Sequence, residues 1–261
     1  MDFPKEIILN KPLIFDSHAH YDDKKFDDIR DDLLSSLPKI GVENVITCSV
    51  DAKSSLSSMH LCEQYGYIYF AAGIHPENLD GVNNIDEIEA FLSHQKCVAV
   101  GEIGLDYYFK SDNKNEQISV FKRQTELALR HDMPIIVHDR DAHEDTLNIL
   151  KEYKPKGVVH CFSGSAEMAK EILGIGMYIS VGGVVTFKNA RKLPEVLAVL
   201  PPDRMLVETD CPYLAPEPYR GKLCHSGYIA LTAQKIAEIK GTTRDEILTL
   251  TNKNSKKLFS L

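Results

Sequence analysis

The stretch that decides the fold runs from residue 97 to residue 140: CVAVGEIGLD (97–106), EQISVFKRQTELALRH (116–131) and PIIVHDR (134–140). The first and third segments are short apolar runs rich in β-branched residues, which is typical of buried parallel strands. The middle segment has helical spacing, and its apolar positions among the charges are Ile118, Phe121, Leu127 and Leu129. The order strand, helix, strand indicates one unit of a parallel α/β fold.

The same alternation continues along the chain. The other strand-like runs are LIFDSHAH (13–20), NVITCSV (44–50), IYFAAGIHP (68–76), GVVHCFSG (157–164), YISVGGVV (178–185) and MLVETDCPYL (205–214). Segments with helical spacing lie at 26–40, 53–65, 84–95, 141–153, 165–174 and 188–200, and two more begin near Ser226 and at Thr242–Thr243, where Glu246 completes a capping-box pattern.

This order predicts a single (β/α)8 TIM barrel with extra C-terminal helices, forming one domain over residues 1–261. An open doubly wound sheet is the alternative, but the first βα turn lacks the G-x-G-x-x-G dinucleotide fingerprint.

Composition narrows the functional classes. Hydrophobic residues make up 43% of the 261 residues and charged residues 26%, as in an ordinary globular enzyme. The formal net charge of −8 argues against nonspecific duplex binding through a basic face, so an anionic substrate would need local cations such as bound metals. The chain shows no secretion signal and no apolar stretch long enough to span a bilayer. We therefore expect a cytoplasmic protein without a membrane partner, whose six cysteines are reduced.

Side chains that bind metals close most of the predicted strands. They are His18 and His20 after strand one, His75 after strand three, Glu102 in strand four, His138 after strand five, His160 after strand six and Asp210 after strand eight. A single histidine in such a position is more often a core residue that is hydrogen-bonded to backbone. In a barrel, however, all of these ends meet at one face, where the catalytic groups of such enzymes lie.

The chemistry of these residues indicates metal-dependent hydrolysis. His18 and His20 are two apart and can face one ion. The two oxygens of Glu102 can bridge two ions, and Asp210 can ligate a metal or accept a proton from the attacking water. Mixed histidine and carboxylate ligands suit Zn²⁺, Mn²⁺ or Fe²⁺ and tolerate Mg²⁺. Two ions about 3.5–4 Å apart would activate a bridging water.

The chain resembles the TatD family of metal-dependent deoxyribonucleases, within the amidohydrolase superfamily. The resemblance rests on an ordered set of motifs: FDSHAH, GIHPE, VGEIGLDYY, PIIVHDRDA, GVVHCFSG, GGVVTFKNA, VETDCPYLAP and YRGK, which run from residue 15 to 222. It departs from the family where Leu223-Cys224-His225-Ser226 replaces the usual asparagine-glutamate-proline segment, in a loop expected to border the substrate entrance.

The resemblance implies a distorted TIM barrel with two divalent ions, Mg²⁺, Mn²⁺ or Zn²⁺. His18, His20, Glu102 and Asp210 would hold one ion, and Glu102, His138 and His160 the other. Glu102 and Asp210 would be catalytic, with Asp210 handling the proton, and His75 would lie near the substrate phosphate. The implied activity is hydrolysis of DNA phosphodiester bonds, as a 3′ to 5′ exonuclease on single strands.

Contacts to DNA can be inferred from the sequence itself. Arg140, beside His138, and Arg220 in the segment Arg220-Gly221-Lys222 are candidates for binding the phosphate backbone, with surface salt bridges as the alternative. The aromatic residues at 107–109 follow strand four and either stack on bases or pack their loop against the barrel.

Two other functions stay open. The same barrel and metals could hydrolyse another ester, such as the bond of a D-aminoacyl-tRNA. A non-catalytic metal-binding protein is the third hypothesis, although it predicts missing ligands and this chain keeps the whole set.

Overall fold

The computed structural model describes residues 3–11, 13–79 and 85–261. Eight parallel strands follow one another in chain order around a nearly closed barrel. They are β1 (Ile14–Ala19), β2 (Val42–Cys48), β3 (Ile68–Ala72), β4 (Cys97–Asp106), β5 (Ile135–Arg140), β6 (Gly157–Val159), β7 (Tyr178–Val181) and β8 (Met205–Val207). A parallel bridge between Ala19 and Cys211 joins β1 to the segment that follows β8. The predicted TIM barrel is confirmed. Register irregularities between β1 and β2, β3 and β4, and β4 and β5 distort it.

Nine α-helices surround the barrel among the described residues. They are α1 (Arg30–Leu34), α2 (Ala52–Gln64), α3 (Ile85–Phe91), α4 (Lys114–Arg130), α5 (His143–Tyr153), α6 (Ala166–Gly174), α7 (Lys192–Val199), α8 (Ile229–Lys240) and α9 (Arg244–Phe259). The last two are the expected C-terminal helices, and Thr243 and Glu246 form the predicted capping box of α9. No helix in the described ranges is both long and apolar enough to cross a bilayer.

Some element bounds differ from those predicted. The helix expected over 26–40 is wrong, because only Arg30–Leu34 is α-helical and a separate 3-10 turn follows at Leu37–Ile40, where Pro38 has no N–H for an α-helical bond. Asn84, the first residue of the helix expected over 84–95, lies outside the described residues. Strands six, seven and eight end earlier than expected, because the chain leaves the sheet there to form the loops of the barrel mouth.

Apolar side chains form two separate layers of core. The inner layer fills the barrel with one or more residues from each strand, among them Phe15, Ile136, Val158 and Leu206. Phe259, at the end of α9, joins this layer and stacks on Phe15 with ring centroids 6.2 Å apart. The outer layer lies between the strands and the helices. Because the inner layer fills the barrel below the strand ends, the histidines and acids of the candidate site collect at the mouth.

Helix α4 packs against the barrel through both apolar and polar side chains. Its buried residues include Phe121 and Leu127, as predicted, whereas Leu129 is 46% exposed and lies on the solvent side. Two buried glutamines fix the helix to the loops beneath it. The Gln124 side chain exchanges two hydrogen bonds with the backbone of Ile74, and the Gln117 carbonyl accepts a bond from the Asp106 amide. These contacts hold the end of β4 in place.

Replacing Gly104 with alanine should lower the free energy of unfolding by about 1–3 kcal/mol, the usual cost of overpacking. Gly104 pairs with His138 across β4 and β5 at a φ of +145°, and a Cβ there would lie 2.0 Å from the His138 carbonyl oxygen. Urea unfolding measures the change. The control is Gly174→Ala in α6, where a Cβ meets nothing within 4 Å. Equal stability of the two variants would contradict the close approach of β4 and β5.

Candidate metal centre

The strands point their last side chains into one cavity. In β5, β6 and β8, the inner core holds Ile136, Val158 and Leu206. Side chains two residues apart on a strand face the same side. The residues at these next positions are His138, His160 and Glu208, and Asp210 follows Glu208 by two more. Along these three strands the barrel interior therefore changes from apolar side chains to histidine and carboxylate within two residues.

Glu102 is the centre of this cluster. It is only 3% exposed, and each of its two oxygens faces a different pair of imidazoles. Oε1 lies 2.8 Å from Nδ1 of His138 and 2.7 Å from Nε2 of His160. Oε2 lies 3.3 Å from Nε2 of His18 and 3.6 Å from Nε2 of His20. A carboxylate in this position has the geometry of a bridge between two sites.

Asp210 completes the side of the cluster that faces His18 and His20. Its Oδ1 lies 3.3 Å from Nε2 of His20 and 3.7 Å from Nε2 of His18. The Asp210 amide donates to the His18 carbonyl oxygen at 2.9 Å, which fixes the segment after β8 against β1. Asp210 is 19% exposed, so it is the more open of the two cluster acids.

Hydrogen bonds at the outer ring nitrogens set the direction of two lone pairs. Nδ1 of His20 lies 2.8 Å from the carbonyl oxygen of Cys48. A carbonyl oxygen only accepts, so Nδ1 carries a proton, and in the neutral ring Nε2 keeps its lone pair on the cluster side. Nε2 of His138 lies 3.1 Å from Oδ2 of Asp106 and donates to it, so in the neutral ring the lone pair of Nδ1 lies on the cluster side. This pairing of a histidine with a carboxylate or a carbonyl is the usual support of a metal ligand.

The acids and imidazoles strongly perturb one another. Burial opposes charge on Glu102, but the neighbouring His160, His18 and His75 hold its pKa well below the usual range. Burial likewise opposes charge on His20, but the hydrogen bond to Asp210 and the charge of Glu102 raise the pKa of His20 to about 10. Burial, and then the charge of His160, lower the pKa of His18 to about 4. The acids of the site therefore favour positive charge on the groups beside them.

The donor atoms fit divalent cations. Three overlapping groups have ligand atoms within 4.8 Å of one another: His18, Glu102 and His160; His18, His20 and Asp210; His75, Glu102 and His138. The Nε2 atoms of His18 and His20 are 3.1 Å apart, a distance at which two lone pairs repel unless a proton or a cation lies between them. Imidazole nitrogens mixed with carboxylate oxygens suit metals of intermediate softness.

The residues predicted to contact substrate lie in different places. His75 reaches the cluster, with Nε2 at 3.6 Å from Oε1 of Glu102. Arg140 lines the same cavity, and its guanidinium lies over the rings of Tyr108 and Phe109. Arg220 is not part of the described cavity lining, and its guanidinium lies 4.4 Å from the ring centroid of Phe187. The structure thus brings His75 and Arg140 to the site and leaves Arg220 outside it.

The sequence analysis missed two acids that support the cluster. Asp106 accepts a hydrogen bond from His138, and its Oδ1 also accepts from the amides of Tyr108 and Phe109. Its position at the end of β4, four residues after Glu102, was the available signal. Asp16 is fully buried at the seam between β1 and β8, where it accepts bonds from both the amide and the hydroxyl of Thr209.

The loop that departs from the family pattern adds a further contact at this seam. The Ser226 hydroxyl donates to Oδ2 of Asp16 at 2.7 Å. The Ser226 amide also donates to the Tyr21 hydroxyl at 2.9 Å. The departure thus falls beside the site and leaves the cluster of acids and imidazoles unchanged.

The cavity above the cluster has a volume of about 750 Å³, which is the size of a small-ligand site. Its walls combine the cluster with acids, cations and rings from several loops: Asp22, Asp23, Lys24, Glu77, Asn78, Phe109, Arg140 and Tyr213.

Comparisons with known proteins agree with this fold. The family described as "TatD related DNase" matches residues 15–260. The chain is 40% identical over 256 residues to the "Uncharacterized metal-dependent hydrolase YabD" of Bacillus subtilis, covering 95% of this chain and 100% of that protein. It is 35% identical to the "Uncharacterized metal-dependent hydrolase YcfH" of Escherichia coli K12, covering 95% and 96%.

A solved structure shows the same arrangement of elements. The crystal structure of YJJV, a TatD homologue from Escherichia coli K12, superimposes with a TM-score of 0.89 at 30% identity. The superposition covers 96% of this chain and 99% of that one. The chain therefore belongs to the family of TatD-related DNases, a family whose similar members are named metal-dependent hydrolases.

Proposed function

We propose that this protein is a deoxyribonuclease that hydrolyses DNA phosphodiester bonds, as a 3′ to 5′ exonuclease on single strands. The observation that carries the proposal is the buried Glu102 carboxylate, each of whose oxygens faces a separate pair of imidazoles. Two adjacent cation sites that share a carboxylate are the arrangement used for in-line displacement at phosphorus. Membership of a family described as DNases supports this choice of bond.

The distances within the cluster support two ligand sets. His18, His20, Glu102 and Asp210 would hold one divalent ion, and Glu102, His138 and His160 would hold the second. Mg²⁺, Mn²⁺ and Zn²⁺ are the proposed ions. Bound there, they would lower the pKa of the attacking water and offset the charge of the phosphoryl group. This local positive charge lets an anionic substrate approach a protein of net charge −8.

Asp210 is the proposed proton acceptor. It is more exposed than Glu102, at 19% against 3%, so a water in the cavity can reach it. Burial opposes its charge, but the hydrogen bond and the charge of His20 lower the pKa of Asp210. Asp210 is therefore ionised at neutral pH, which is the state that accepts a proton. The more deeply buried Glu102 would hold both ions.

His75 is the proposed donor to the phosphate. Its Nδ1 accepts a hydrogen bond from the backbone amide of Glu77 at 3.2 Å, so the neutral ring carries its proton on Nε2. Nε2 is the atom that faces the cluster. A protonated nitrogen donates hydrogen bonds and cannot ligate a metal. This distinguishes His75 from His20, whose neutral ring carries its proton on Nδ1.

The cavity also supports a preference for chain ends. At about 750 Å³ it has room for a few groups of a ligand, and a duplex would have to separate its strands before entering. Arg140 would contact the phosphate backbone at the cavity wall. Arg220, which lies outside the wall, would contact only DNA that extends beyond the cavity.

The single domain over 1–261 and the cytoplasmic location stay predictions from the sequence. The predicted domain includes residues 1, 2, 12 and 80–84, which lie outside the described ranges.

Substituting the two cluster acids should separate their roles. Asp210→Asn should lower kcat by about 10²–10⁴-fold, because an amide cannot accept the proton. Glu102→Gln should lower the amount of bound metal as well as kcat, since one bridging charge is lost. Elemental analysis and steady-state kinetics measure both. The matched control is Glu77→Gln, an acid of the same cavity wall that lies outside the three ligand groups. Full activity of Asp210→Asn would remove this residue from the mechanism.

The two arginines should behave differently. Arg140→Ala should raise KM for single-stranded DNA by about tenfold, the effect expected for a lost charge-assisted hydrogen bond. Arg220→Ala should raise KM less, because its guanidinium lies over Phe187 outside the cavity lining. Initial rates on a short oligonucleotide measure the pair. A larger effect at Arg220 would mean that the DNA follows another path.

The direct test of the proposed function is a panel of substrates given to the metal-loaded protein. We expect stepwise shortening of single-stranded DNA from its 3′ end with Mg²⁺ or Mn²⁺, and slower turnover of duplex DNA. RNA and D-aminoacyl-tRNA are included in the same panel. Acyl release from charged tRNA without shortening of DNA would replace the nuclease with a deacylase. No turnover of any ester, with metal bound, would support a non-catalytic metal-binding protein.

A further inference from the structure

Aromatic side chains stand exposed at the mouth of the barrel. Among the described residues, the phenylalanine and tyrosine side chains that are clearly exposed are Tyr108 at 60%, Phe109 at 56% and Tyr213 at 42%. Phe109 and Tyr213 line the cavity above the metal centre. A ring that packs its loop against the barrel is covered by other residues. Tyr107 is partly covered in this way, and its hydroxyl donates to Asp145 at 2.7 Å. Phe109 and Tyr213 therefore offer open ring surface to the cavity.

These two rings come from opposite sides of the mouth. Phe109 follows β4, whereas Tyr213 follows β8, and the strands run in chain order around the ring. Strands four apart in an eight-stranded barrel lie across from each other. Glu102, in β4, and Asp210, after β8, face the space between them. A chain that reached the metal centre would pass between the Phe109 and Tyr213 rings.

Each ring is fixed to the metal centre by a short link. The Phe109 amide donates to Oδ1 of Asp106 at 2.7 Å, and the other oxygen of Asp106 accepts from His138. The Tyr213 amide donates to the carbonyl oxygen of Asp210 at 3.0 Å. On the other side of its ring, the Tyr213 hydroxyl donates to Oδ2 of Asp23 at 2.7 Å. The rings are thus held at set positions relative to the reacting centre.

The charges of the cavity wall favour binding through bases. Its walls carry the acids Asp22, Asp23 and Glu77 in addition to the cluster, against the cations Lys24 and Arg140. Contacts to phosphate alone would therefore give little affinity. Stacking of an unpaired base on an aromatic ring supplies affinity that does not depend on charge, and it tolerates any sequence.

A cationic side chain already lies close to each of the two rings. The Arg140 guanidinium lies 4.6 Å from the Phe109 centroid, and the Lys25 ammonium lies 3.9 Å from the Tyr213 centroid. A base on a free face of either ring would leave the cation beside the adjoining phosphate. One ring and one cation on each side match the alternation of base and phosphate along a single strand.

We propose that Phe109 and Tyr213 form a base clamp, which stacks the unpaired nucleobases on either side of the scissile phosphate. The inference rests on the proposed nuclease function and adds the reason for selecting single strands. Bases within a duplex are stacked on one another and cannot present their faces to the rings. The clamp recognises that a base is unpaired, whatever the identity of that base.

The test compares two oligonucleotides with the metal-loaded protein. One is an ordinary single strand, and the other carries abasic residues at its last two 3′ positions. We expect the wild type to prefer the ordinary strand by about 100-fold in kcat/KM, since each stacked base contributes about tenfold or more. Phe109→Ala and Tyr213→Ala should each reduce this preference to about tenfold, and the double variant should abolish it.

Conservative variants and a matched control separate stacking from folding. Phe109→Tyr and Tyr213→Phe keep a ring and should keep the preference. Tyr153→Ala removes a partly exposed ring from α5, which also lies near a cation, Lys122, and it should change nothing. A wild-type preference near onefold, or one that survives the double alanine variant, would overturn the clamp alone. Failure of the wild type to cleave any DNA would overturn the proposed function and the clamp together.

Discussion

The site depends on one buried carboxylate. Glu102 is almost wholly buried, carries a full negative charge, and lies between His18 and His20 on one side and His138 and His160 on the other. Burying such a charge costs free energy unless cations or hydrogen-bond donors surround it. The barrel meets this constraint by directing strands from opposite sides of the ring toward the same point. The arrangement of the mouth follows from the need to compensate this charge.

The surrounding structure keeps the imidazoles in the required orientation. Carboxylate and carbonyl oxygens at Asp106 and Cys48 fix a proton of His138 and of His20 on the outer nitrogen, so in the neutral rings the inner nitrogens present lone pairs. The Asp16 carboxylate joins β1 to the segment after β8, where the sheet itself contributes a single bridge. Hydrogen bonds therefore hold the cluster together where the β-ladder is weakest. Asp106 and Asp210 also position the exposed rings of the mouth, which links substrate contacts to the chemistry.

Much of this architecture was predictable because strand ends in a parallel barrel converge. The positions of Glu102, His138 and His160 after apolar runs were enough to place them at one mouth. The supporting contacts were not predictable, since the bond from Ser226 to Asp16 joins residues 210 apart in sequence and depends on how the ring closes. The proton positions on the imidazole rings could not be predicted either, because nothing in the sequence distinguishes the proton position of His75 from that of His20. The predicted lengths of β6 to β8 were wrong for a related reason. Apolar residues continue into the loops after the hydrogen-bonded ladder ends.

The central claim is that Glu102 bridges two cations. Anomalous diffraction from crystals soaked in Mn²⁺ tests it most directly. The account predicts two peaks about 3.5–4 Å apart, one beside each oxygen of Glu102, with His18 and His20 on one and His138 and His160 on the other. A single peak remote from Glu102, or none at saturating Mn²⁺, would contradict it.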